Sequence, residues 1–245
     1  MKILAFDIET RPIKAYTWGL FDQNVSIGQI IEPASMLCFA ARWVGSKKVL
    51  FHSVHHDGKQ AMLDQLHGLM DEADYVMSWN GKNFDSKWVR TEFVLNGMSP
   101  PSPVKDLDLL LLARRQFRMT SNKLDWVASV MGVAGKVKHD GFQLWIDCMA
   151  GDEAAWKKMR TYNKRDVDIL VEIYEKLLPW MGSDSPNMAI ASGRPNACIV
   201  CAGENLSPRG RAYTTTGSYA RYRCDDCFKW QKSKSSLATS NMRNI

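Results

Sequence analysis

Long apolar runs are missing from this sequence: none comes near the ~20 residues that a membrane-spanning helix needs. Glycine (16 of 245 residues) and proline (9) fall far short of collagen-like or low-complexity abundance. Apolar residues make up 45% and charged residues 24%, which excludes a wholly disordered chain. Asp7 and Glu9 interrupt the only apolar start, so a secretory signal is not expected. The expectation is a cytoplasmic protein without a membrane partner, long enough for one full domain and a small second one.

Net charge is nearly balanced in the body, and the positive excess is concentrated at the end. The formal charge is +6, and residues 182–245 hold nine Lys/Arg against four acids, leaving only +1 for residues 1–181. A neutral body with a basic appendage fits a polyanionic partner, although a merely soluble basic tail has the same composition. Four of the six cysteines lie in this appendage, as Cys198-Ile-Val-Cys201 and Cys224-Asp-Asp-Cys227. Each pair offers two sulfurs from one tight turn, and together they suit one structural Zn²⁺ with four thiolate ligands. Disulfides are the alternative, and nothing in the chain points to an oxidising compartment. Cys38 and Cys148 stand alone in apolar stretches, as small core residues do.

Hydrophobic patterning gives a mixed α/β organisation. Residues 2–9 read as a strand, 36–42 and 48–54 as a hairpin, and 75–79 as a further strand. Helical periodicity covers 60–73 and 85–95, with another strand at 104–107. A helix follows Ser121-Asn122, and 152–178 reads as one or two helices broken near Arg160. Strands first and βα alternation afterwards imply a mixed sheet flanked by helices. The expected domains are 1–181, a Gly/Ser/Pro/Asn-rich linker at 182–195, a zinc ribbon at 196–232 and a frayed tail at 233–245.

Three acidic clusters are set apart from this background. Asp7 and Glu9 share one face of a strand whose other members, Ile3 and Ala5, are apolar. Two ionised carboxylates on a core strand repel each other unless a cation lies between them, though strand ends also carry solvated acids. Asn80-Gly-Lys-Asn-Phe-Asp85 is a polar loop delivering Asp85 to a helix start, where Phe84 can anchor it; a plain helix cap has the same pattern. Tyr162 and Asp166 are one helical turn apart, facing either a site or solvent. His52, His55 and His56 sit at a strand exit and read as solvated surface rather than a metal cluster. Asp106 and Asp108 read as supporting or helix-capping acids.

FDIET at 6–10, NxxxFD at 80–85 and YxxxD at 162–166 resemble, in order, the three motifs of the DEDD (DnaQ-like) 3′–5′ exonucleases, a branch of the ribonuclease-H-like superfamily. The tyrosine subtype is indicated because Tyr162 lies four residues before Asp166, and the loop is most similar to family B polymerase proofreading domains. The resemblance spans about residues 1–180 and implies a ribonuclease-H-like sheet. It also implies that Asp7, Glu9, Asp85 and Asp166 hold two Mg²⁺ or Mn²⁺ ions, with Tyr162 positioning the attacking water. The implied reaction releases nucleoside 5′-monophosphates from the 3′ end of single-stranded nucleic acid, DNA favoured over RNA.

Ile8, Thr10, Asn80 and Phe84 are expected to flank the terminal nucleotide, and Trp18, Phe21 and Trp79 are candidates for base stacking. In the appendage, Arg209, Arg211, Arg221 and Arg223 among tyrosines, Phe228 and Trp230 suit phosphate contact; docking of a replication protein is the competing use. A nucleic-acid-binding accessory or scaffold protein with an idle nuclease site is the alternative function.

Overall fold

The computed structural model describes residues 1–133, 135, 141–182 and 185–242. The chain divides into two compact units, Lys2–Ile173 and, with Met1, Tyr174–Ile245. The strands of the larger unit are β1 (Ile3–Arg11), β2 (Lys14–Ala15), β3 (Ile30–Glu32), β4 (Ser35–Trp43), β5 (Val49–Ser53), β6 (Tyr75–Ser78) and β7 (Lys105–Asp108). Its helices are α1 (Lys59–Glu72), α2 (Asp85–Leu95), α3 (Leu109–Gln116), α4 (Leu124–Val130), α5 (Gln143–Met149) and most of α6 (Glu153–Leu177). No described helix is long and apolar enough to cross a membrane.

Five strands form a sheet in the order β5-β4-β1-β6-β7, antiparallel through β5, β4 and β1 and parallel through β1, β6 and β7. The central strand is β1, and its alternation of side chains organises both layers. Leu4, Phe6 and Ile8 enter one core with Met62, Leu63 and Leu66 of α1 and Val89 and Phe93 of α2. A second core joins Leu37 and Cys38 of β4 to Leu144 and Cys148 of α5 and Trp156, Met159 and Tyr162 of α6. Fully burying a side chain of this size contributes roughly 1.5–3 kcal/mol.

The expected mixed α/β sheet with flanking helices is present, and three local expectations change. Residues 153–177 form one unbroken helix, with no break at Arg160. The segment contains neither Gly nor Pro, and Arg160 lies with its guanidinium carbon 5.3 Å from the Phe51 ring centroid. The stretch expected as linker contains a short helix, α7 (Met188–Ala191), capped by the Asn187 side chain on the Ile190 amide at 3.2 Å. Its residues 183 and 184 lie outside the described residues.

The smaller unit carries a three-stranded antiparallel sheet of β8 (Leu206–Tyr213), β9 (Gly217–Cys224) and β10 (Trp230–Thr239), in the order β10-β9-β8. Most of the segment expected to fray is therefore strand: β10 pairs with β9 as far as Thr239 opposite Gly217. Backbone pairing holds a segment whose Ser/Lys-rich side chains have little to bury, and lysines suit an edge strand. Residues 243–245 of the expected tail lie outside the described residues.

Candidate active site

Asp7 and Glu9 leave β1 on the face opposite Leu4, Phe6 and Ile8, and Asp166 reaches them from α6. One carboxylate oxygen from each of the three lies within 4.8 Å of the others. Asp166 is buried, whereas Asp7 and Glu9 are half-buried. Three such carboxylates repel each other and lose hydration, and a cation reverses both costs. An all-oxygen set of hard donors fits Mg²⁺ or Mn²⁺ better than a soft metal.

The helix brings more than an acid. Tyr162 is 7% exposed, makes a side-chain hydrogen bond with Asp166 and lies edge-on to Trp145, with ring centroids 6.1 Å apart. Burial first, then the charges of Asp166, Glu9 and Asp7, push its ionisation far above the ordinary phenol range. Its neighbour Asn163, fully buried, donates from Nδ2 to Asp7 Oδ2 at 2.6 Å and to the Asp7 carbonyl at 3.3 Å. The Cys38 thiol faces Asn163 Oδ1 at 4.0 Å, and burial followed by the charges of Glu9 and Asp7 keeps that thiol neutral. The amide is thus oriented from one side and holds Asp7 from the other. Sequence reasoning passed over Asn163, yet its position carried a signal: it is the polar member of the buried row Met159, Asn163, Val167.

Asp85 stands beside this group rather than inside it. Its Oδ1 accepts the Ile8 amide, between Asp7 and Glu9, at 3.2 Å. Burial lifts its ionisation to about 7 and the Asp108 charge adds to this, while hydrogen bonds from the Ile8 amide and its own amide work the other way. The plain capping role falls elsewhere: Phe84 is the N-cap residue of α2, and Asp85 bridges to β1 instead.

The loop before Asp85 is held from β7. Asp108 accepts the Asn80 amide at 3.0 Å and the Lys82 amide at 3.2 Å while capping α3 through the Leu110 and Leu111 amides. Asn80 takes a left-handed backbone with φ of 70°. Gly81 is sterically required, since a Cβ there would lie 1.9 Å from Ser78 Oγ and 2.5 Å from Ser78 Cβ. Phe84, expected to anchor the loop, is instead exposed and edge-on to Trp88; Asp108 does the anchoring. Asp106 is also a supporting acid, accepting the Ser86 hydroxyl.

Other expected contacts separate. Ile8 is 3% exposed and belongs to the core, so its side chain is not offered to a nucleotide. Thr10 is half-buried next to a register shift after Glu9. Trp18 and Phe21 are exposed, whereas Trp79 is half-buried and donates to the Asn122 carbonyl at 3.0 Å. His52 stacks on Phe39; His55 pairs with Glu153 at 2.8 Å and stacks on Trp156, and His56 bonds Ser53 Oγ at 2.6 Å.

Residues 4–178 match the family model RNase_H_2, of the RNase_H superfamily. The chain belongs to the RNase H superfamily. The expected ribonuclease-H-like sheet is thereby present as such. No curated protein matches the sequence. Among solved structures, the family B DNA polymerase from the hyperthermophilic archaeon Pyrobaculum calidifontis is similar, with a TM-score of 0.55 and 14% identity. The similarity covers 88% of this chain and 31% of the polymerase, so the chain spans about a third of that protein and shares its fold there.

Outside the RNase H domain, the four appendage cysteines converge with all sulfurs within 4.8 Å. Cys198 and Cys227 are 3.6 Å apart and Cys201 and Cys224 3.7 Å, separations too long for disulfides. A tetrahedron with arms of ~2.3 Å has edges of about 3.8 Å, so the spacing fits one Zn²⁺. The two turns match: Ala202 and Phe228, each directly after a C-x-x-C pair, have φ of 59° and 63°. The Val200 amide points at Cys198 Sγ at 3.5 Å and the Gly203 amide at Cys201 Sγ at 3.4 Å. Burial lifts Cys201 to about 11, while at Cys198 burial is outweighed by amide hydrogen bonds and the thiol sits below its ordinary value.

Proposed function

We propose that this chain is a metal-dependent 3′–5′ exonuclease releasing nucleoside 5′-monophosphates from single-stranded nucleic acid, with DNA favoured. The observation that carries the reading is the convergence of Asp7, Glu9 and Asp166 within an RNase H superfamily domain. These three carboxylates would hold a divalent cation directly, and Asp85, beside the Ile8 amide, would complete the acidic wall for a second. Bound cations supply charge neutralisation at the scissile phosphate and activation of water.

The chain's own residues do the rest. Asn163 fixes the rotamer of Asp7, so the carboxylate does not reorganise when a cation arrives. Tyr162 keeps its proton under the pressure of burial and three acids, which disqualifies it as a base; its hydroxyl, donating to Asp166, would orient a water by accepting from it. Asp108 and Gly81 hold the loop that presents Asp85.

The test is shortening of a 5′-labelled single strand in Mg²⁺ or Mn²⁺ by the wild-type chain and by Asp7→Asn. A ladder of products from the wild type and none from the variant is expected. If both bind the strand and neither shortens it, the nuclease reading fails and a binding protein with an idle site replaces it. Cutting of a circular strand would turn the reading to an endonuclease.

A further inference from the structure

The small C-terminal sheet has two unlike faces, and its strand register assigns residues to them. Along β9 successive side chains alternate, so Tyr219, Arg221 and Arg223 share a side. In the β9–β10 pair, Arg223 is opposite Trp230 and Arg221 opposite Lys232. Directly opposed residues of an antiparallel pair project together, which puts Trp230 and Lys232 on that same side.

The other side carries Ser218, Ala220, Tyr222 and Cys224, with Leu206 of β8 opposite Cys224. There Gln231, opposite Tyr222, accepts the Ile199 amide at 3.0 Å, so this side packs against the first cysteine turn. Arg211 is opposite Ala220 and belongs to the zinc side. The four arginines expected to act together therefore do not share a face.

On the open face, cations and rings interleave. Lys232 Nζ lies 4.3 Å from the Tyr219 ring centroid, Arg221 Cζ 5.2 Å from that of Trp230, and Arg223 Cζ 4.8 Å from that of Phe228. Trp230 is 50% and Phe228 54% exposed, so both rings keep a surface for a partner. The nearby acids are occupied elsewhere: Asp225 accepts the Ser207 hydroxyl and Asp226 the Asn205 side-chain amide.

We infer that this face, built from Tyr219, Arg221, Arg223, Trp230 and Lys232, is a binding platform for a single-stranded nucleic acid. The alternation is complementary to a strand in which negative phosphates alternate with flat bases. Arg and Lys neutralise the former, and aromatic planes stack on the latter. Each cation already held over a ring loses less freedom on binding than a free side chain does. The first cysteine turn meets the opposite side of the sheet through Gln231, while Arg221, Trp230 and Lys232 on this side are exposed. The inference names a second binding surface for the proposed substrate and rests on the exonuclease reading only for the choice of ligand.

The test is fluorescence anisotropy of a labelled oligothymidylate of about 20 nucleotides, longer than one ~4–16-nucleotide site. The full zinc-loaded chain is used without added Mg²⁺ or Mn²⁺, across roughly 50 to 200 mM salt. The wild type is expected to bind, and Tyr219→Ala with Trp230→Ala to weaken binding at least about thirtyfold, two stacks at ~1 kcal/mol or more each. Arg221→Gln with Arg223→Gln is expected to flatten the log–log salt slope by about 1.4, at ~0.7 for each phosphate no longer neutralised. Arg211→Gln, on the zinc side, stays within about twofold of wild type, below the effect of removing one stacked base.

Zinc content is measured on every variant, and Trp230→Leu keeps apolar bulk without the indole face, so loss of folding is distinguished from loss of the platform. No binding by the wild type overturns the inference. So does wild-type affinity in the Tyr219/Trp230 variant, or an Arg211→Gln effect equal to that of Arg221/Arg223. Strand shortening in Mn²⁺ is read on the same preparations. Face-dependent binding without shortening sinks the nuclease reading alone, and shortening without face dependence sinks this inference alone.

Discussion

A single amide decides how the first acid of the site is held. Asn163 fixes Asp7 by a 2.6 Å hydrogen bond, with the neutral Cys38 thiol at its other end. Asn163→Ala frees that carboxylate and is expected to cut activity about 10–100-fold, the range found for partners of metal ligands. Because the missing interaction serves the acid that would meet the cation, the Mn²⁺ concentration giving half-maximal rate should rise in the same variant. A fall in rate with an unchanged Mn²⁺ dependence would contradict this positioning role. Asp85 makes a different statement, about stability. Its proton is held up to about pH 7 in the folded chain but released near 3.8 in the unfolded one. Folding therefore takes up a proton between those values, and the contribution of Asp85 to stability falls as pH rises through that window. Calorimetry in buffer free of divalent cations should show a decline in melting temperature from pH 5 to 7 that is smaller in Asp85→Asn. Equal slopes would show that Asp85 is not the responsible group. Asp7, Glu9, Tyr162 and Asp166 stood out in the sequence because FDIET and YxxxD resemble exonuclease motifs; spacing alone put each pair on one side but left solvent as an alternative. Asn163 was harder to see, since its partners lie on β1 and β4, more than a hundred residues away.

At the level of elements, α6 and the loop before α2 do most of the positioning. Because α6 is continuous, one turn carries Tyr162, Asn163 and Asp166 on a rigid support. The apolar row through Trp156, Met159 and Val167 runs past Arg160 without interruption, as the unbroken helix does. The loop depends on a backbone approach that no pattern of hydrophobicity reveals. At Gly81 an added Cβ would meet both heavy atoms of the buried Ser78 side chain, so rotating the hydroxyl does not relieve it. Gly81→Ala is expected to destabilise the domain by about 1–3 kcal/mol. That corresponds to several degrees in melting temperature, at ~2–4 °C per kcal/mol for a domain of this size. A melting curve matching wild type would show that the loop has room the structure does not display. The outer part of β10 was illegible for the opposite reason: its polar composition hides a conformation set largely by backbone pairing.

For the whole molecule, the coarse plan was readable and the boundaries were not. The apolar runs of β1, β4 and β6 and the helical periods of α1 and α2 specify most of the mixed sheet. The paired cysteines announce a second unit, which begins at Tyr174, inside α6, rather than at the Gly/Ser-rich stretch after it. Two chemistries coexist in the chain: oxygen donors suited to hard cations in the RNase H domain, and sulfur donors suited to zinc in the appendage. The account stands on the first of these, and anomalous diffraction from crystals soaked in Mn²⁺ tests it most directly. It predicts a peak bounded by the carboxylates of Asp7, Glu9 and Asp166 in the wild type and none there in Asp166→Asn. A wild-type crystal with no peak among those three side chains would contradict it.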